Sequence, residues 1–106
     1  MSFGGLQGCD GGKIQLGAWV AVAYSNNKRF FVGKVTAIET TNVVVDFLTR
    51  ARDGSFKWPK RKDVDNICPK FVFATSLRVQ GVGSCFVLSN ANSIETQFER
   101  YKKTYM

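Results

Sequence analysis

Apolar residues in this chain come in short runs broken by polar turns. Trp19-Val20-Ala21-Val22-Ala23-Tyr24, opened by Gly17-Ala18, is followed by Phe30-Phe31-Val32-Gly33-Lys34-Val35 and then by Val43-Val44-Val45-Asp46-Phe47-Leu48. Runs of β-branched and aromatic residues at this spacing predict antiparallel strands over 18–24, 30–38 and 43–49. Alternation places Val20, Val22 and Tyr24 on one face of the first strand and Trp19, Ala21 and Ala23 on the other. Both faces are apolar, so this strand is expected to be buried on two sides. Ser25-Asn26-Asn27-Lys28-Arg29 and Glu39-Thr40-Thr41-Asn42 supply the turns. Gly33, inside the second run, predicts a bulge or sharp bend.

Asp53-Gly54 is a turn signal leading into a short fourth strand, Ser55-Phe56-Lys57-Trp58, which Pro59 ends because it has no N–H to donate. Residues 60–66 are charged and are expected at the surface. Phe71-Val72-Phe73 and Leu77-Arg78-Val79 predict one or two more short strands, and Gly81-Val82-Gly83 turns the chain into Cys85-Phe86-Val87-Leu88. The period then changes. Ile94, Phe98 and Tyr101 recur at i, i+4 and i+7, which predicts an amphipathic helix over about 92–103. Asn92 and Glu95 form a loose capping box, and Arg100, Lys102 and Lys103 complement the dipole at the far end. Residues 1–13 are rich in glycine and poor in apolar side chains, so a flexible lead is expected there, with one domain over 14–106. The fold class is therefore mainly β: a small antiparallel barrel with an added C-terminal hairpin and a short helix.

Composition narrows the chemistry. The 106 residues contain no histidine. That removes Ser–His and Cys–His nucleophile pairs and the His-containing zinc sites. Cys9, Cys68 and Cys85 lie far apart, without a C-x-x-C, and read as reduced thiols, Cys85 as a small core residue. Asp53, Asp63 and Asp65 sit in lysine-rich, loop-like sequence, where solvated carboxylates are the default. No enzyme, cofactor or metal site is expected. The longest apolar run is far below the roughly 18 residues that span a bilayer, so no membrane is expected either. Met1-Ser2-Phe3-Gly4-Gly5 carries no secretory signal pattern.

Charge adds a candidate surface. The net charge is +7, and it is uneven. Residues 50–62 hold six bases (Arg50, Arg52, Lys57, Lys60, Arg61, Lys62) and one acid (Asp53). With Lys28 and Arg29, this stripe is suited to phosphates of DNA or RNA, beside aromatic rings able to stack on bases. The alternative is a solubilising loop.

The strand motifs in order, Gly17-Ala18-Trp19-Val20-Ala21-Val22-Ala23-Tyr24, Phe31-Val32-Gly33-Lys34-Val35 and Val43-Val44-Val45-Asp46-Phe47, resemble the Tudor-like, SH3-like small barrels. With Phe56-Lys57-Trp58-Pro59 and the closing helix, the chain looks closer still to a poorly characterised animal module, often attached to transposon-derived proteins, that carries an F-x-W-P element. The resemblance implies an intracellular, nuclear interaction module that reads methylated lysine or arginine, or a histone-tail peptide. Tyr24, Phe31 and Phe47 match positions of an aromatic cage, which would hold a methylated cation on the ring faces. Asp46 would pair with a residual N–H, and Trp58 is a further candidate wall. Two departures stand against that pattern: Leu48-Thr49-Arg50-Ala51 replaces the usual aromatic-Gly-Asn step, and Arg50 and Arg52 repel a cation. Three expectations follow: a chromatin reader, a nucleic-acid-binding barrel using the 50–62 loop, and a generic peptide-docking scaffold.

Overall fold

In a computed structural model of the chain, residues 6–23 and 29–105 are described. The strands are β1 (Trp19–Val22), β2 (Phe31–Ile38), β3 (Val43–Phe47), β4 (Thr49–Arg50), β5 (Phe56–Lys57), β6 (Val64–Ile67), β7 (Val72–Ala74), β8 (Val79–Val82) and β9 (Cys85–Leu88). A 3₁₀ turn, Pro69–Phe71, precedes β7, and the helix α1 (Ala91–Tyr105) closes the chain. The strands form two antiparallel sheets, one in the order β6-β3-β2-β1-β7 and one in the order β4-β5-β9-β8. The fold is mainly β, as the alternating runs predict.

The two-faced first strand divides the interior into two cores. Val20 and Val22 join Val35, Val43, Val45, Phe47 and Ile67 on one side of the large sheet. Ala21 and Ala23 join Phe30, Val32, Leu48, Phe56, Phe73 and Phe98 on the other. The second core is roofed by α1, whose Ile94, Phe98 and Tyr101 are its buried residues. Phe98 lies 5.3 Å from Phe73 and 5.6 Å from Phe30, ring centroid to centroid. Burying one such ring stabilises the fold by roughly 1.5–3 kcal/mol. The Tyr101 hydroxyl donates to the Lys70 carbonyl at 3.0 Å and pins the end of the helix over the 3₁₀ turn.

Four features differ from the sequence expectation. Gly33 is not the bulge. It pairs in register with Val20 and Phe47, and the irregularity falls between Val35 and Ala37, at Thr36. Gly33 is required for closeness: a Cβ there would strike the Val45 side chain and lie 2.9 Å from the Asp46 carbonyl oxygen. Next, the charged stretch holds a strand. β6 pairs with β3 from Val43↔Ile67 to Asp46↔Val64 while its first three residues stay exposed, so backbone pairing rather than burial sets it. Of the expected lead, residues 6–13 pair Gln7 with Lys13, and the Cys9 N–H donates to the Val72 carbonyl at 2.7 Å. The Asp10 carboxylate accepts the Gly12 amide and both the amide and hydroxyl of Thr75. Lastly, α1 begins one residue early, at Ala91, which puts the expected capping residue Asn92 inside the helix; Asn90 before it donates to the Ser76 carbonyl and accepts the Arg78 N–H.

The large sheet curls without hydrogen-bonded closure among the described residues, in place of the expected closed barrel. Its outer strands, β6 and β7, are joined only by residues 68–71. Five strands laid flat put the outer two about 19 Å apart. A link that is partly 3₁₀, rising about 2 Å per residue, covers less than that, so the edges must bend toward each other. The chain leaves the large sheet at Leu48, whose N–H donates to the Val32 carbonyl at 2.9 Å, and enters β4 directly. This corner opens the groove described next.

Candidate functional site

The β4–β5 hairpin is built by its turn. Gly54 adopts φ +89°, which favours glycine, and the Asp53 carboxylate accepts the Ser55 amide at 3.0 Å and the Ser55 hydroxyl at 2.6 Å. These bonds hold the Asp53 carboxyl below its ordinary value. Counting outward from that turn places Arg50 opposite Phe56. The Arg50 guanidinium carbon lies 5.1 Å from the Phe56 ring centroid and 4.9 Å from that of Phe30. Burial lowers the Arg50 pKa, and the neighbouring charge of Arg29 acts in the same direction while Glu95 opposes it. Arginine remains charged at neutral pH all the same. Among the described residues, the salt bridges are Lys62–Asp46 and Lys102–Glu99, so Arg50 has no carboxylate partner within 4 Å.

Arg50 lies in the wall of a groove of about 710 Å³ between the two sheets. Phe30, Phe31, Leu48 and Phe56 supply apolar wall, and Arg29, Arg61 and Lys62 bring three more cations against the single carboxylate of Asp63. Lys62 sits 3.7 Å from Asp46, but its side chain is 74% exposed, so the pair holds it weakly. Arg52, Lys57 and Lys60 are exposed and lie outside the groove wall. Of the basic residues expected to contact nucleic acid, the groove thus gathers Arg29, Arg50, Arg61 and Lys62. Lys28 lies outside the described residues.

The cage candidates are distributed differently. Tyr24 lies outside the described residues. Phe31 and Phe47 meet edge to face at 6.3 Å, yet Phe47 is only 2% exposed and belongs to the first core. Asp46 follows the alternation of β3 to the opposite face, so it does not stand beside the Phe47 ring. Across β1–β2–β3 it shares a row with Lys34 and Trp19. One Asp46 carboxylate oxygen is buried without a hydrogen-bond partner. Trp58 packs 5.9 Å from Trp19 and 5.8 Å from Phe86, and Lys34 Nζ lies 5.6 Å from the Trp19 ring.

Sequence reasoning missed Phe30 and Phe56 as the rings that hold Arg50, and Trp19 and Phe86 as the support of Trp58. The hairpin count from Asp53-Gly54 is the signal that pairs Arg50 with Phe56. Nothing local announces the contact of Trp58 with Trp19, which are 39 positions apart in the chain. Among the described residues there is no cluster of three metal-ligating side chains, and no helix is long and apolar enough to cross a membrane. All three cysteines are free. Comparison with known protein families, curated proteins and solved structures finds no match to this chain.

Proposed function

We propose that this domain is a non-catalytic, nuclear interaction module that binds the phosphate backbone of a nucleic acid in the groove between its sheets. The observation that carries the reading is Arg50. It is a partly desolvated guanidinium set against two aromatic rings, without a carboxylate partner, and three further cations line the same groove. An anion entering there gains charge-assisted hydrogen bonds and restores solvation-like contacts that burial removed. The curled five-stranded sheet supports kinship with SH3-like, Tudor-like barrels. Within that kinship, the wall chemistry favours phosphate over a methylated ammonium, because four cations around Phe31 oppose a fifth.

The test is fluorescence anisotropy with labelled DNA and RNA of mixed sequence at about physiological salt, alongside trimethyl-lysine and dimethyl-arginine peptides. Arg61 and Lys62 are exposed, so Arg61→Glu with Lys62→Glu reverses the groove charge without touching a core. Saturable nucleic-acid binding that this variant abolishes supports the reading. Amide shifts at Phe31 on adding a methylated peptide, with nucleic acid left unbound, overturn it in favour of the reader.

A further inference from the structure

Among the described residues, Trp58 is an aromatic ring left open beside the basic groove. It is 43% exposed, although its ring is fixed by Trp19 of the large sheet and Phe86 of the small one. Trp19 and Phe86 themselves pack at 5.2 Å, so the three rings form one cluster bridging the two sheets. Centroids only 5–6 Å apart leave no space between the rings for a ligand, and the cluster is a platform rather than a cage. Its position relative to charge is the informative point. Pro59, the next residue, lines the basic groove, as do Arg61 and Lys62. The platform therefore adjoins the phosphate track at a separation of one residue, about 3.8 Å between Cα atoms.

We infer that the ligand is single-stranded, with one unpaired base stacked on Trp58 while its phosphates lie against Arg50, Arg61 and Lys62. This rests on the groove reading above and names its substrate class. An unpaired base has a free π-face to offer, and stacking on an aromatic ring accepts any base. In a duplex both faces of each internal base are already covered by neighbouring bases, so only the phosphate contacts remain. Because Trp58 is already held by two rings, little side-chain freedom is lost when the base arrives.

The experiment measures affinity of the full chain for single-stranded DNA and RNA and for the matching duplex, with Trp58→Ala, Trp58→Phe and the Arg61→Glu, Lys62→Glu variant. Thermal melts confirm that each variant is folded. Trp58→Ala is expected to weaken single-strand binding about 5- to 150-fold, the range of one lost stack, and to leave duplex binding unchanged. Trp58→Phe keeps a ring and is expected to retain most of the preference. A general loss of structure would lower both affinities together, so the ratio is the diagnostic quantity. Equal affinity of the native chain for both forms, or a single-strand affinity indifferent to Trp58→Ala, overturns the platform while leaving the groove intact. No nucleic-acid binding at all overturns the groove reading itself.

Discussion

Salt is the most direct probe of the groove, because its effect is fixed by how many phosphates the protein neutralises. Four cations line the wall: Arg29, Arg50, Arg61 and Lys62. Each phosphate neutralised on a single strand contributes about −0.7 to the slope of log affinity against log salt. Four such contacts predict a slope of about −2.8, so raising salt from about 50 to about 200 mM weakens binding about 50-fold. Asp46 does not remove Lys62 from this count, since the Lys62 side chain is 74% exposed and 3.7 Å from the carboxylate, leaving its ammonium able to turn to a phosphate. Replacing Arg61 and Lys62 with Gln halves the number of contacts. The slope should fall to about −1.4 and the same salt change should weaken binding only about 7-fold. The assay is an anisotropy titration at five or so salt concentrations for both proteins. An unchanged slope in the double variant would refute the reasoning, because the phosphates would then be contacted elsewhere, with exposed Arg52, Lys57 and Lys60 the next cations to test.

Two further outcomes test the architecture that places the groove. Gly33→Ala drives a methyl group into Val45 and against the Asp46 carbonyl in the middle of the large sheet, and should destabilise the fold by about 1–3 kcal/mol in urea unfolding; an unchanged midpoint would mean that the strands there are not so closely apposed. Asp53 links the hairpin to pH: its carboxyl lies below its ordinary value because Ser55 hydrogen-bonds the charged form. The stabilisation is therefore complete above the unfolded value and is lost as pH falls through the lowered one. The protection factor of the Ser55 amide, its exchange rate relative to the unstructured rate at the same pH, should fall across that acid window, and Asp53→Asn should abolish the step; a protection factor unaffected by acid would disprove the link.

The parts of the fold legible in sequence are those whose partners lie close along the chain. Hairpin β2–β3 is legible from two β-rich runs and the 39–42 turn between them, and α1 from the spacing of Ile94, Phe98 and Tyr101. Strand β6 was not legible, because Val64-Asp65-Asn66 has the composition of an exposed loop and is held mainly by its ladder to β3. Gly33 illustrates a different limit. A glycine within a strand announces that something comes close, but whether that is a bend in its own backbone or a neighbouring strand depends on residues 12 and more positions away, Val45 and Phe47 among them. The side chains of Asn90 and Asp10 were illegible for the same reason: Asn90 ties residues 76 and 78, and Asp10, besides accepting the adjacent Gly12 amide, reaches Thr75.

The site divides along the same line, and that division favours the proposed nucleic-acid groove over the aromatic cage. Motif order placed Tyr24, Phe31, Asp46, Phe47 and Trp58 in one cage. Strand alternation alone separates Asp46 from Phe47, and burial commits the Phe47 ring to the core. Bulk charge carried less positional information, yet its convergence on one groove follows from geometry the sequence did contain. The turn at Asp53-Gly54 fixes Arg50 across from Phe56, and the Leu48 corner brings both beside Phe30 at the start of β2. A guanidinium desolvated in this way raises the cost of the empty groove and lowers that of a filled one, provided the occupant is an anion. A methylated lysine entering the same space would meet the partly desolvated Arg50 and three further cations against the single groove carboxylate of Asp63. On the proposed reading the aromatic residues of this domain serve two separate tasks: Phe30 and Phe56 orient a cation, and Trp58, outside the groove lining, offers a face to the base.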